Sequence, residues 1–165
     1  MILTKMHTSS IEHTFKVAEA IKSMLQGRVR ILVADNDQQT GAELKPLAQQ
    51  GGYEVVSVSD GREAYRLLKA DADFKVVVLN TGIPHLSGVE IVRFMKTEKR
   101  LMRIPVVMIS TDYGLKHVAE SFAEGALAVL PKPFPPVQLH RTIRMVLDSQ
   151  QAISVPQTSK CLALA

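Results

Sequence analysis

An α/β fold, a doubly wound sheet of five parallel strands, is predicted by three observations. Short apolar, β-branched runs alternate with amphipathic helical stretches between Arg28 and Leu147. Those runs are apolar at consecutive positions, the pattern of strands covered on both faces. Several of them end in a polar residue, and in open α/β sheets functional residues gather outside the carboxyl ends of the strands.

Residues 1–8 carry no periodic pattern. Ile11, Phe15, Ala18, Ile21 and Leu25 then recur at helical spacing, Ser9 and Glu12 read as a capping box, and Gly27 is a natural stop. This predicts an amphipathic helix over Ser9 to Gln26, too short to be stable alone. Its apolar face packs on its own domain or forms a dimer or partner surface.

The first strand is Val29 to Ala34, ending in Asp35-Asn36-Asp37, and a helix from Gln38 to Gln50 is closed by Gly51-Gly52. Pro46 removes a hydrogen bond inside that helix, at a cost of about 3 kcal/mol, and predicts a kink. Tyr53 to Val58 is the second strand; Asp60 caps a helix with Ala64, Leu67 and Leu68 inward. Val76 to Leu79 is the third strand, followed by a helix with Val89, Val92 and Met95 inward. Pro105 to Ile109 is the fourth strand, and Leu115, Val118, Ala119 and Phe122 mark its helix. Ala126 to Leu130 and Val137 to Leu147 are the fifth strand and helix. The chain thus divides into an N-terminal extension (1–27), one domain (28–148) and a flexible C-terminal tail (149–165).

With 46% hydrophobic and 22% charged residues, the composition is that of a globular domain with a core. The single cysteine, Cys161, excludes an intrachain disulfide and fits a reducing cytosol, hence a cytoplasmic location. No apolar run reaches the ~18 to 20 residues that span a bilayer, and no signal peptide is evident, so no membrane partner is expected. The net charge of +4 comes from 20 basic and 16 acidic residues interspersed along the chain. Histidines 7, 13, 85, 117 and 140 do not fall at a metal-ligand spacing, and His85 alone sits on the loop after the third strand. No metal and no cofactor are expected.

The stretch from Val76 to Gly88 organises the rest. Its apolar run ends at Asn80, and Gly82, Pro84 and Gly88 then break the backbone. Together with Ile31-Leu32-Val33-Ala34-Asp35, the Ile83-Pro84-x-Leu86-x-Gly88 loop, the hydroxyl of Ser110 and the block from Gly125-Ala126 to Lys132-Pro133, it resembles the receiver domain of two-component response regulators. The resemblance covers about Arg28 to Asp148 and implies a flavodoxin-like sheet in the order 2-1-3-4-5, with the N-terminal helix as an addition. It also implies phosphoryl transfer from a histidine kinase to an aspartate ending the third strand. An acidic pair ending the first strand would hold Mg²⁺, with a Ser or Thr on the fourth strand and a lysine after the fifth.

Those positions fall on Asn80, on Asp35 and Asn36, on Ser110 and on Lys132. An amide is not the nucleophile that a carboxylate is. Mg²⁺ is usually held by one or two carboxylates, and only Asp35 is left, since Asp37 should point into the first helical turn. Asp35 with Lys132 sums to zero charge, so Lys132 is expected to bridge Asp35 and the side-chain oxygen of Asn80. Val129 stands where the family usually carries an aromatic residue that swings on phosphorylation.

These departures point to a stand-alone pseudo-receiver, not an enzyme and without catalytic residues, that acts in signal transduction as a phosphorylation-independent protein-interaction module. Its expected face comprises the fourth helix, fifth strand and fifth helix, with Leu115, Lys116, Val129 and His140 as contacts; Leu139 and Ile143 are candidates for either face or core. A homodimer would use that face or the N-terminal helix. A second reading is an effector that binds an anionic ligand, such as a cyclic dinucleotide, through Arg93, Lys96, Lys99, Arg100 and Arg103, a cluster that equally reads as a solvated helix end. A third is a response regulator still phosphorylated on Asp35 or Asp37. A nucleic-acid partner is not expected, because the cluster lacks aromatic interleaving beyond Phe94.

Overall fold

The computed structural model describes residues 27–112 and 114–153, together with Thr14, Val17 and Ala18. The helix expected over Ser9 to Gln26 lies outside the described residues except at those three positions, which are helical, and so does the tail beyond Ile153. The strands are β1 (Val29–Ala34), β2 (Tyr53–Val58), β3 (Val76–Asn80), β4 (Val106–Ser110) and β5 (Ala128–Pro131). The helices between and after them are α1 (Gln38–Gln50), α2 (Gly61–Ala70), α3 (Gly88–Thr97), α4 (Leu115–Glu124) and α5 (Pro136–Ile153). All strands pair in parallel in the order β2-β1-β3-β4-β5.

The consecutive apolar residues of the strands divide between two cores. Leu32, Val77, Leu79, Val106 and Met108 face Ala64 and Leu68 of α2 and Ile91, Val92 and Met95 of α3. Ile31, Val33, Val76, Val78, Val107 and Ile109 face Leu44 of α1 and Leu139, Ile143 and Val146 of α5. Every residue of β3 and β4 is buried. Each large aliphatic side chain there contributes about 1.5–3 kcal/mol relative to exposure. Leu139 and Ile143, left between face and core by the sequence, are core.

Helix ends follow local chemistry. Asp37 caps α1 by accepting from the Gln39 N–H at 3.0 Å, and Asp60 caps α2 by accepting from the Arg62 N–H at 2.6 Å. Ser87 and Glu90 form a reciprocal capping box at the start of α3. Gly125 ends α4 at φ 114°, a left-handed conformation that suits glycine.

The structure moves several expected boundaries. β3 continues through Asn80, which pairs with Ile109. β4 begins at Val106, because Pro105 has no N–H to give the ladder, although its carbonyl accepts from Val77. β5 begins at Ala128, since the Ala126 N–H closes the end of α4 on the Ser121 carbonyl. α1 runs unbroken across Pro46, which lies with Ala42, four residues before it, on the exposed side of the helix. α5 extends through Ile153, past the expected tail boundary at Ser149, whose hydroxyl donates to the Val146 carbonyl. α4 buries only Ser121; Leu115 is exposed, as its place on the expected interaction face requires, and Phe122, which also marks the helix in sequence, is exposed too.

Two glycines hold the loop after β3 in place. A Cβ on Gly61 would lie 1.8 Å from the Leu86 carbonyl oxygen, and one on Gly88 would lie 2.5 Å from the Asn80 carbonyl oxygen. Both neighbours are backbone, so no rotamer change relieves the clash. Gly61→Ala is expected to lower stability by about 1 to 3 kcal/mol, read as a fall in urea midpoint, with the loop forced off α2.

Candidate functional site

Asp35 follows β1 directly, its N–H tied to the Val58 carbonyl at 3.0 Å, and is 3% exposed. Its carboxylate is saturated. Oδ1 accepts from Asn80 Nδ2 at 2.7 Å and from the Asp37 N–H at 3.1 Å; Oδ2 accepts from Thr40 Oγ1 at 2.6 Å and from Lys132 Nζ at 2.5 Å. Burial pushes the pKa of Asp35 up, but donation from Lys132, Thr40, Asn80 and the Asp37 backbone outweighs it, so the carboxyl sits below its ordinary value.

Each partner is placed by an element. Asn80 ends the buried β3 and also donates to Asn36 Oδ1 at 3.1 Å, while its own Oδ1 accepts from the Gly82 N–H at 3.0 Å. Lys132 follows β5; its N–H donates to the Ser110 carbonyl at 2.8 Å, and the Lys132-Pro133 bond is cis. Of the expected bridge of Lys132 across Asp35 and Asn80, the contact of the lysine with Asp35 is present. The Asn80 oxygen accepts from the loop backbone two residues away, and the Asn80 amide nitrogen faces the carboxylate.

Ser110 closes the end of β4. Its Oγ accepts from Thr81 Oγ1 at 2.8 Å and from the Asp112 N–H at 3.0 Å, and lies 3.1 Å from the Asp112 carbonyl, to which it donates. Asp37, as expected, turns into the first turn of α1. On the same loop His85 has φ 69°, and its Nδ1 lies 2.5 Å from Asp60 Oδ2, joining the loop to the cap of α2.

The residues present do not fit Mg²⁺. The ion needs hard oxygen donors, generally with one or two carboxylates. Both oxygens of Asp35 are already engaged, one by a lysine ammonium, and Asn36 and Asn80 offer neutral amides that are themselves hydrogen-bonded. Chemically, the pocket can hold a fixed, charge-balanced link between β1, β3 and the segment after β5.

Two members of this network escaped the sequence reading. Thr40 is buried at 8% exposure and is the first of a buried Thr40-Leu44-Ala48 series at four-residue spacing. That periodicity marks it as inward-facing, although nothing in sequence pairs it with Asp35. Thr81 carries no signal beyond its place next to Asn80.

The other predicted residues fall in different places. Leu115 is 90% exposed and Lys116 is exposed, whereas Val129 is half-buried against the core. His140 lies next to Tyr53, with ring centroids 6.4 Å apart and a buried Nε2, near the sheet edge opposite β5. It is therefore corrected from the α4–β5–α5 face: the residue after the core Leu139, it is turned about 100° around α5 and meets the edge strand β2. The basic cluster splits. Arg93 makes two hydrogen bonds to Glu124, at 3.0 and 2.7 Å, and Lys96 donates to the Met102 carbonyl at 3.1 Å, its partial burial pushing the ammonium pKa down. Lys99 is exposed; Arg100 and Arg103 lie at the opposite end of the sheet from Asp35.

Comparison with known proteins agrees with this geometry. The family model of the response regulator receiver domain matches residues 31–144. The chain is 30% identical over 122 residues to the chemotaxis protein CheY1 of Helicobacter pylori, covering 73% of this chain and 98% of that protein. It is 28% identical to a chemotaxis protein CheY homolog of Campylobacter jejuni, covering 73% of this chain and 94% of the relative. Among solved structures, chemotaxis response regulator CheY4 of Vibrio cholerae superposes with a TM-score of 0.67 at 28% identity, covering 73% of this chain and all of that one. Among the described residues, no helix is long and apolar enough to cross a membrane. With its sheet order, its strand-end pocket and a matching family model over most of its length, the chain belongs to the response regulator receiver domain family of signal-transduction proteins.

Proposed function

We propose that this receiver domain works as a phosphorylation-independent protein-interaction module, a pseudo-receiver whose pocket is a structural link rather than an acceptor site. The observation that carries the reading is the saturated Asp35, held by Lys132, Thr40, Asn80 and the Asp37 N–H in a pocket whose central strand ends in an amide. Phosphoryl transfer needs a nucleophile and, in this setting, a cation to balance the incoming charge. Asn80 is not such a nucleophile, Asp35 is committed to its four donors, and Asp37 is turned to the cap of α1. The docking face of this reading comprises α4, β5 and the start of α5, where Leu115, Lys116 and Phe122 are exposed and Val129 is half-buried. An exposed leucine and phenylalanine on a helix that buries so little fit a protein partner better than solvent.

Incubation of the protein with Mg²⁺ and acetyl phosphate is expected to give no mass increase by intact-mass spectrometry. Stoichiometric addition of one phosphoryl group to the unmodified chain would overturn the reading and restore that of a phosphorylated response regulator.

A further inference from the structure

At the pole of the sheet opposite Asp35, where the strands begin, a groove of about 590 Å³ opens between the segments entering β3 and β4 and the end of α5. We infer that this groove binds a nucleotide-sized organic phosphate, its phosphates on Arg100 and Arg103 and its flat apolar part on Ile104, Pro105 and Leu147. The volume falls within the range of small-molecule sites.

The sequence puts the two arginines there by alternation. After α3 ends, Leu101 and Ile104 turn into the core, and the Ile104 N–H donates to the Leu101 carbonyl at 2.9 Å; Arg100 and Arg103 are left exposed. Unlike Arg93, neither has an acidic partner among the described residues. Arg100 gives one N–H to the Lys69 carbonyl at 3.2 Å and keeps its remaining donors; Arg103 makes no ion pair or hydrogen bond among the described residues. Lys75 adds a third cation to the rim, with only an exposed contact to Asp73 at 3.6 Å against it.

Arginine presents a planar fork that matches phosphate oxygens in pairs. Two such forks beside a wall of aliphatic and proline side chains select an anion with an apolar body over a bare anion, and a concave site selects a small ligand over a polyanionic strand. The groove shares no residue with the pocket around Asp35, so the inference stands or falls independently of the proposed function.

Isothermal calorimetry on the full chain with ADP and with GDP tests it, with pyrophosphate and adenosine as partial probes. Saturable binding of at least one nucleotide is expected, weakened about tenfold or more by Arg100→Ala and by Arg103→Ala and unchanged by Arg93→Ala. Pyrophosphate and adenosine should each bind more weakly than the nucleotide. Flat traces with both nucleotides, or affinity retained in both groove variants, would overturn the assignment. Pyrophosphate binding as tightly as the nucleotide would overturn the apolar half of it.

Discussion

Lys132→Met destabilises the domain by about 2 to 4 kcal/mol at neutral pH, measured as a fall in urea midpoint at unchanged slope. The substitution keeps the length of the side chain and removes its charge, leaving the buried Asp35 carboxylate without its cation. Removing one member of a buried pair costs more than the pair itself contributes, because the survivor stays desolvated. The remaining donors from Thr40, Asn80 and the Asp37 N–H keep the loss below the upper end for such sites. The pH dependence has a definite sign. Because the folded-state pKa of Asp35 lies below its unfolded value, its contribution is fully present above the unfolded carboxylate pKa and drains away as pH falls through the folded value. Without Lys132 that folded pKa rises. The gap between wild type and variant should therefore be widest near neutrality and narrow on acidification; a gap that widened as pH fell would contradict the pairing.

Asn80→Asp is expected to cost about 2 kcal/mol at neutral pH and to reverse the pH slope. The amide nitrogen that donates to Asp35 Oδ1 at 2.7 Å and to Asn36 Oδ1 at 3.1 Å becomes an anionic oxygen facing an existing carboxylate. Two carboxylates at that distance raise the pKa of at least one of them, and a carboxyl whose folded pKa is raised gains stability as pH falls. Millimolar Mg²⁺ should recover part of the loss by offsetting the added charge. Restored phosphorylation is not expected from this change alone, because position 36 remains an amide; the paired change Asn36→Asp/Asn80→Asp should bind Mg²⁺ more tightly than Asn80→Asp by calorimetry. Equal Mg²⁺ affinity in the single and paired variants would show that Asn36 is irrelevant to the metal.

The fold was largely legible in the sequence because parallel strands buried on both faces leave unbroken apolar runs such as Val76 to Leu79, and polar strand ends such as Asp35, Asn80 and Ser110 mark one pole of the sheet. Contacts between side chains distant in sequence were less legible. That Lys132 reaches Asp35 followed from residue types and family spacing; that Thr40 completes the shell, or that the Asn80 oxygen turns to Gly82, depends on the orientation of single rotamers. Arg93 illustrates the same limit: in sequence the cluster was opposed only by Glu98, but Glu124, 31 positions from Arg93, takes one of its charges. α4 differs again: its apolar spacing signalled a helix, and the exposure of Leu115 agrees with its place on the expected interaction face, but the spacing did not show that Phe122 faces outward as well.

Lys132 and Asp35 are 97 positions apart, and the strands they flank lie on opposite sides of β3 and β4. A contact of that span closes only after the intervening strands have found their neighbours, because the loop entropy must be met before the pair can form. It is therefore expected to form late in folding, so that the stability it contributes falls on the rate of unfolding rather than on the rate of folding. In kinetic terms the strand-end pocket is expected to act as a late fastener: Lys132→Met should speed unfolding in stopped-flow measurements and leave the folding rate nearly unchanged.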